Sequence, residues 1–306
     1  MRFIKVALVA LVLTVFIASP VAYAATSPSL GTAASFSVLG ETNITNVPTS
    51  TIGRDVGLSP ATGANYSGIT TAQVGGTIYA VDGFGPAGSV NNPGLLTTAI
   101  NDMTNVWSTG GSTGIDQPCT TSWSGTGSKD LTTVSPLGPG VYCADAFLLT
   151  GNLTLSGSGV WIFKSAATLT TSASSTVTGG DPCNVWWRMV SAGSILGSSS
   201  TMVGNLLSGT SLNMQTNATL NGRLLSQAAV TLDHNTITGP ACVPALGPSG
   251  GSGADTTSSS GGSSGTTPGL PNSGLQAEQT IAPWATGAII AALTSVAFLA
   301  RKRSAL

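Results

Sequence analysis

An all-β solenoid with one α-helix packed alongside it is the fold class this sequence predicts, and three features predict it. An eight-residue block recurs at a short fixed offset. Short runs alternate hydroxyl or small residues with apolar ones and are broken by glycine. One segment, set apart from the rest, carries a helical period.

The repeat is the most informative of the three. Thr201-Met202-Val203-Gly204-Asn205-Leu206-Leu207-Ser208 matches Thr219-Leu220-Asn221-Gly222-Arg223-Leu224-Leu225-Ser226 at an offset of 18 residues, and Thr236-Ile237-Thr238-Gly239 follows 17 residues later. A period near 20 with recurrent glycine and apolar positions marks coils too poor in apolar surface to fold singly, so that stacking supplies the core. Residues 148–155, 160–164 and 167–177 read as further strands. Strand content alone also permits a sandwich; the repeat is what favours the solenoid. The helical segment follows Asn92-Pro93 and places Leu95, Leu96, Ala99, Ile100, Met103, Val106 and Trp107 at i, i+3/i+4 spacing, with Asn91 or Asn92 as cap and Gly110-Gly111 as stop.

The two ends carry targeting signals. Arg2 and Lys5, an apolar run over residues 6–18, Pro20 and Ala22-Tyr23-Ala24 read as a signal peptide spanning residues 1–24. Residues 25–246 form the expected head. Residues 247–269, rich in Gly, Ser and Thr with Asp255 as the one charge, read as a flexible tether with a reach of about 25 Å. Leu270-Pro271-Asn272-Ser273-Gly274 is similar to the Leu-Pro-x-Thr-Gly signal that sortases join to the cell wall, with Ser273 in place of Thr. Residues 284–300 are uncharged, at the lower limit for a membrane-spanning helix, and Arg301-Lys302-Arg303 close them. A surface location held by the C-terminus is expected, through sortase and the wall or through the membrane helix itself.

Charge and cysteine content narrow the function classes. The chain has 10 Lys+Arg and 11 Asp+Glu, and the head contains Arg54, Lys129, Lys164, Arg188 and Arg223 as its basic residues. Such a surface has no basic stripe, which excludes nucleic acid as a partner. Four cysteines lie in the exported head and allow three pairings; Cys119–Cys143 and Cys183–Cys242 are favoured, the second tying a chain end to the body. Their spacing does not suggest zinc.

Hydroxyl-rich segments recur just ahead of the repeated apolar position: residues 171–176, 198–201, 216–219 and 233–236. Coils stack about 4.7–4.9 Å apart, so Thr201, Thr219 and Thr236 are expected to form a rank, with Thr171, Thr176, Ser198 and Thr216 on the same face. Thr offers a methyl and a hydroxyl on a χ1-restricted Cβ, and an uncharged rank of such groups can order water. Hydroxyl residues also suit solenoid turns for structural reasons alone.

Catalytic readings fare worse. His234 sits in an Asp-His-Asn-Thr turn, no nucleophile elbow accompanies Ser208 or Ser226, and Asp55, Asp82, Asp130, Asp145, Asp181 and Asp233 are scattered singly rather than paired. No enzyme activity, metal or cofactor is expected. Trp161, Trp186 and Trp187 read as core, leaving Trp123 as the one candidate exposed contact.

Five ordered blocks carry a family resemblance: Leu30-Gly31-Thr32-Ala33-Ala34-Ser35-Phe36-Ser37-Val38-Leu39-Gly40; Gly53-Arg54-Asp55-Val56-Gly57-Leu58-Ser59-Pro60; Leu137-Gly138-Pro139-Gly140-Val141-Tyr142-Cys143; Cys183-Asn184-Val185-Trp186-Trp187; and Gly222-Arg223-Leu224-Leu225 with Ala229-Val230-Thr231-Leu232-Asp233. Over about residues 28–245 the chain resembles the microbial ice-binding-protein-like family, the DUF3494 domain. The resemblance implies a right-handed, discontinuous β-solenoid of triangular cross-section with one helix alongside, which binds ice through one flat face without a cofactor. It also implies a Thr-x-x-Thr/Asn-like element on successive coils; Thr216-Asn217-Ala218-Thr219 fits, while residues 198–201 and 233–236 fit loosely. A monomeric, anchored head that adsorbs to an ice crystal is the leading expectation. A surface adhesin or structural module of the same fold, binding glycan or protein, is the alternative.

Overall fold

A computed structural model describes residues 24–108, 114–191 and 193–242. The expected signal peptide up to residue 23, the tether, the Leu270–Gly274 signal and the helix at 284–300 lie outside these residues. Among the described residues, no helix is long and apolar enough to cross a membrane.

The chain forms three ladders of parallel strands. The first stacks Asn152–Leu155, Thr176–Gly179, the opening halves of Thr201–Ser208 and Thr219–Ser226, then Thr236–Ile237 and Thr51–Ile52. The second runs from the end of Gly140–Leu149 through Leu169–Thr171, Ser194–Leu196, Leu212–Met214, Ala229–Asp233 and Asn43–Val47 to Tyr66–Ser67. The third takes the start of Gly140–Leu149, Trp161–Ser165, Val185–Met189, the closing halves of the two eight-residue strands, Phe36–Gly40, Asp55–Leu58, Ile78–Ala80 and Val90–Asn91. Thr121–Asp130 pairs with Gly140–Leu149 across the second and third ladders.

The repeat seen in the sequence is a register: all eight residues of Thr201–Ser208 pair one-to-one with Thr219–Ser226. The N-terminal strands do not begin the stack. Phe36–Gly40, Asn43–Val47 and Thr51–Ile52 dock onto Thr219–Ser226, Ala229–Asp233 and Thr236–Ile237, so the coil made first in sequence follows the coil made last. The stretches 148–155 and 167–177, read as continuous strands, are each interrupted after Leu149 and Thr171, where the chain turns from the second ladder into the first. At the second of these turns Ser174 has a φ of 58°, which no strand residue adopts.

Alternation along each strand builds the core. In the first ladder Leu153, Val177, Met202, Leu220, Ile237 and Ile52 form one buried inward column, each side chain contributing about 1.5–3 kcal/mol on burial. Inside the coils Trp123, Tyr142, Phe163 and Trp187 stack in turn, with ring centroids 5.8, 5.3 and 4.1 Å apart. Trp123 is thus half-buried at the end of an aromatic column, which corrects its expectation as an exposed contact: its ring face is spent on Tyr142, and Lys129 covers it from 5.2 Å.

The helix spans Pro93–Ser108, with Asn92 as cap: its side-chain oxygen accepts the Leu95 N–H at 3.1 Å. Leu96, Ala99, Met103 and Val106 are buried against Phe36, Leu39, Val141, Ile162, Trp186, Leu207 and Leu225 on the outside of the third ladder. The helix therefore covers one ladder only.

Two devices shape the coils. Gly204, with φ 111°, turns Thr201–Ser208 from the first ladder into the third, and Gly222 stacks on it so closely that a Cβ would overlap the Gly204 carbonyl oxygen. Arg223, fully buried, then uses all five guanidinium N–H groups. Its Nε (3.1 Å) and Nη2 (2.9 Å) donate to Ala34 O, Nη2 to Pro240 O (2.5 Å), and Nη1 to Asn205 Oδ1 (2.9 Å) and towards Cys242 Sγ (3.2 Å). Burial, and then the neighbouring Arg54 charge, pull its pKa down to about 10, so it is still a cation at neutral pH. The disulfides are Cys119–Cys143 and Cys183–Cys242.

Gly222→Ala is expected to lower stability by roughly 1–3 kcal/mol, since the stacked backbones must separate, measured by urea denaturation. Arg223→Met, which takes its donors from the buried Asn205 Oδ1 and from the half-buried Ala34 and Pro240 carbonyls, is expected to cost roughly 1–3 kcal/mol, read as a fall in the thermal midpoint.

Candidate functional site

Residues flanking each inward apolar position of the first ladder must point outward. The register aligns Asn152, Thr176, Thr201, Thr219, Thr236 and Thr51 into one row across six coils. Two residues further along each strand, Thr154 pairs with Thr178 and Val203 with Asn221, and Thr238 continues this second row. The rows repeat every 4.7–4.9 Å along the stack and lie about 6.6–6.8 Å apart along the strand. None of these residues is charged, and no helix among the described residues covers them.

The hydroxyls divide into two groups. Thr176 donates to Asn152 Oδ1 at 2.8 Å, Thr238 to Asn221 Oδ1 at 2.7 Å, and Thr154 and Thr178 lie 3.5 Å apart. Those of Thr201, Thr219, Thr236 and Thr51 have no hydrogen-bond partner among the described residues and are left to solvent. A recess of about 380 Å³ opens beside the face, lined by Val47, Asn213, Gln215, Thr216, Thr231 and Asp233 among others, and takes in no residue of either row.

One corner sets the row. On five of the six coils, all but that of Asn152, the residue immediately before it is a buried small or amide side chain: Ser175, Ser200, Ala218, Asn235 and Ser50. Before that stands a residue with positive φ: Ser174 (58°), Ser199 (58°), Asn217 (60°), His234 (53°) and Thr49 (88°). The left-handed turn costs about 1–2 kcal/mol for an ordinary residue, and only a small buried side chain lets the coil close so sharply. Asn235 ties coils together, donating to Gln215 O (2.8 Å) and Ala218 O (3.2 Å). The Ser200 hydroxyl has no partner.

Of the residues expected on the face, Thr176, Thr201, Thr219 and Thr236 lie in the first row. Ser198 and Thr216 sit at the corner, three residues ahead of Thr201 and Thr219. Thr216 donates to the Asp233 carboxylate; this bond first, and then His234, hold the Asp233 carboxyl below its usual range. Thr171 does not belong to the face. It is 3% exposed and its hydroxyl accepts the Gly197 N–H at 2.8 Å, because its side chain turns inward where the second ladder ends. Sequence reading missed Asn152 and Thr51, along with the second row. The Thr-x-Thr or Asn-x-Thr pattern at residues 152–154, 176–178 and 236–238 is the signal that marks them. Thr51 also required knowing that the N-terminal coil follows Thr236.

The scattered aspartates bind backbone. Asp55 accepts from Thr77 N, Asp82 from Gly63 N and Phe84 N, Asp102 from Thr32 N, Asp130 from Thr132 N, Asp145 from Gly125 N and Gly127 N, and Asp181 from Cys183 N. Among the described residues no group of three His, Cys, Asp or Glu could hold a metal.

A family model described as ice-binding-like matches residues 38–238. An ice-binding protein of Flavobacterium frigoris (strain PS1) is 40% identical over 220 residues, covering 69% of this chain and 76% of its own. One from Colwellia sp. is 36% identical over 219 residues, covering 69% and 83%. Among solved structures, a glycosylated ice-binding protein from an Arctic yeast superposes with a TM-score of 0.61 at 27% identity, over 72% of this chain and 96% of its own.

Ser200→Ala is expected to be neutral or to raise stability by up to about 1 kcal/mol, because it removes an unpaired buried hydroxyl and repeats what Ala218 does one coil on; chemical denaturation measures it.

Proposed function

The chain belongs to the ice-binding-like family, and on that premise we propose that its head adsorbs to ice through the double row of the first ladder, on a right-handed solenoid of triangular cross-section. The observation that carries this reading is the six-coil row from Asn152 to Thr51, uncharged, with the four neighbouring hydroxyls of Thr201, Thr219, Thr236 and Thr51 unpaired.

The chemistry is that of a template. Each Thr holds its methyl and hydroxyl at fixed positions because its branched Cβ restricts χ1, and the ladder fixes the distance to the next. Water between the methyls keeps its hydrogen bonds to other water, while the hydroxyls anchor it. Such a layer is ordered before ice arrives, so adsorption needs little further ordering. A Lys or Asp in the row would instead impose its own hydration shell. No cofactor, metal or catalytic group takes part.

Export by the signal at residues 1–24 and retention at the surface by residues 270–306 place this head outside the cell, held by its C-terminus to wall or membrane. The tether of residues 247–269 lets it turn its face towards a crystal. The activity is then adhesion of the cell to ice or control of ice growth near it.

Residues 25–246, with both disulfides formed, are expected to partition into growing ice and to inhibit recrystallisation. Thr201→Tyr with Thr219→Tyr should reduce that activity at least about tenfold, equivalent to roughly 1.4 kcal/mol, while folding stability stays within about 0.5 kcal/mol. Thr231→Tyr, on the second ladder, should keep the activity. A folded head with no effect on ice growth removes this reading and leaves the surface adhesin in its place.

A further inference from the structure

The Cys183–Cys242 bridge encloses more than a chain end. Ser198, Thr201, Thr216, Thr219 and Thr236 all lie between its cysteines, which are 59 residues apart. The centre of the hydroxyl row therefore sits on a covalently closed ring. Towards the C-terminus the ring ends with Thr236–Ile237, bonded to Thr219–Ser226 on one side and Thr51–Ile52 on the other. Thr238 N–H then donates to Leu220 O at 3.0 Å and Gly239 N–H to Gly222 O at 3.1 Å. The Pro240 carbonyl accepts from Arg223 at 2.5 Å and Arg54 at 3.3 Å, and Cys242 follows.

A pull on the chain beyond residue 242 would act differently with and without the bridge. Hydrogen bonds at a chain end are loaded one at a time, and each contributes only about 0.5–1.5 kcal/mol net. Without the bridge, the pull would strip Pro240, Gly239 and Thr238, then Thr236–Ile237. That would open the row and part Thr51 from its neighbour. With the bridge, tension crosses the sulfur–sulfur bond to Cys183. The strand that follows, Val185–Met189, is paired on both sides, by Trp161–Ser165 and by Thr201–Ser208, with Trp186 and Trp187 buried.

We propose that the Cys183–Cys242 bridge, with Arg54 and Arg223 gripping Pro240, is a load-bearing device that carries tension from the C-terminal tether past the coils holding the hydroxyl row. The face then keeps its register while the chain is pulled. Its purpose rests on the reading of residues 247–306 as tether and anchor; its mechanics do not.

The test holds the full chain between two handles, one at each terminus, and stretches it in buffer without ice. The Cys119→Ser/Cys143→Ser variant, which keeps only the ring bridge, is compared oxidised and after reduction with dithiothreitol. Reduction is expected to add an early extension, ahead of every other event, drawn from the 59-residue separation and worth up to about 200 Å of contour length. The oxidised chain should lack it. Arg223→Lys should lower the force of that early event in the reduced chain only. If the Cys119→Ser/Cys143→Ser variant does not fold, the wild type reduced under low tension after folding supplies the same comparison. A first event of unchanged force and length after reduction, or one drawn from residues ahead of Cys183, would overturn the proposal. Because no ice is present, the result stands apart from whether the head adsorbs to ice.

Discussion

Backbone hydrogen bonding between coils is the constraint on which the rest of this structure depends. Parallel strands must lie 4.7–4.9 Å apart to bond, so every position repeated per coil becomes a straight column at that pitch. The same rule makes the buried column from Leu153 to Ile52 and the outward-facing row from Asn152 to Thr51. Core and surface are two readings of one register, and a slip of one residue would exchange them.

The corners absorb what the ladders cannot. Coils this short must turn sharply, and five turns into the first ladder use non-glycine residues with positive φ, Ser174, Ser199, Asn217, His234 and Thr49, a conformation that glycine adopts more easily. Compact buried groups under each turn and the Gly204–Gly222 stack let the coils approach. Charge is handled in the same economical way. The aspartates that could disturb a neutral face accept backbone N–H groups, as Asp145 does from Gly125 and then Gly127, bonds that hold its carboxyl below the usual range. Lys164 and Arg188, adjacent in the third ladder, share Asp116. The lysine hydrogen bond is the main cause of that carboxyl's lowered pKa.

The join between the two ends of the sequence needs a different solution. Where the N-terminal coil docks behind Thr236, there is no covalent continuity to guide it. Arg223 supplies a common point: Ala34 near the start, Asn205 in the middle, and Pro240 and Cys242 near the end all meet its guanidinium. A buried cation without a carboxylate is tolerable there because every donor has an acceptor.

Much of this was legible in the residues themselves, because it depends on local period. The offset of 18 between Thr201 and Thr219, the helix behind Asn92, and the alternation that makes Leu220 core and points Thr219 outward all follow from spacing along the chain. Three things did not. Thr171 shares the composition of its neighbours but turns inward at a corner whose geometry depends on the coil it touches. Trp123 looked exposed in a polar segment until Tyr142 was brought beneath it. Thr51 joins the row only because a strand far away in sequence stacks on Thr236. Periodicity encodes which residues recur. Which coil lies next to which is decided by long-range pairing, and no local spacing carries that information.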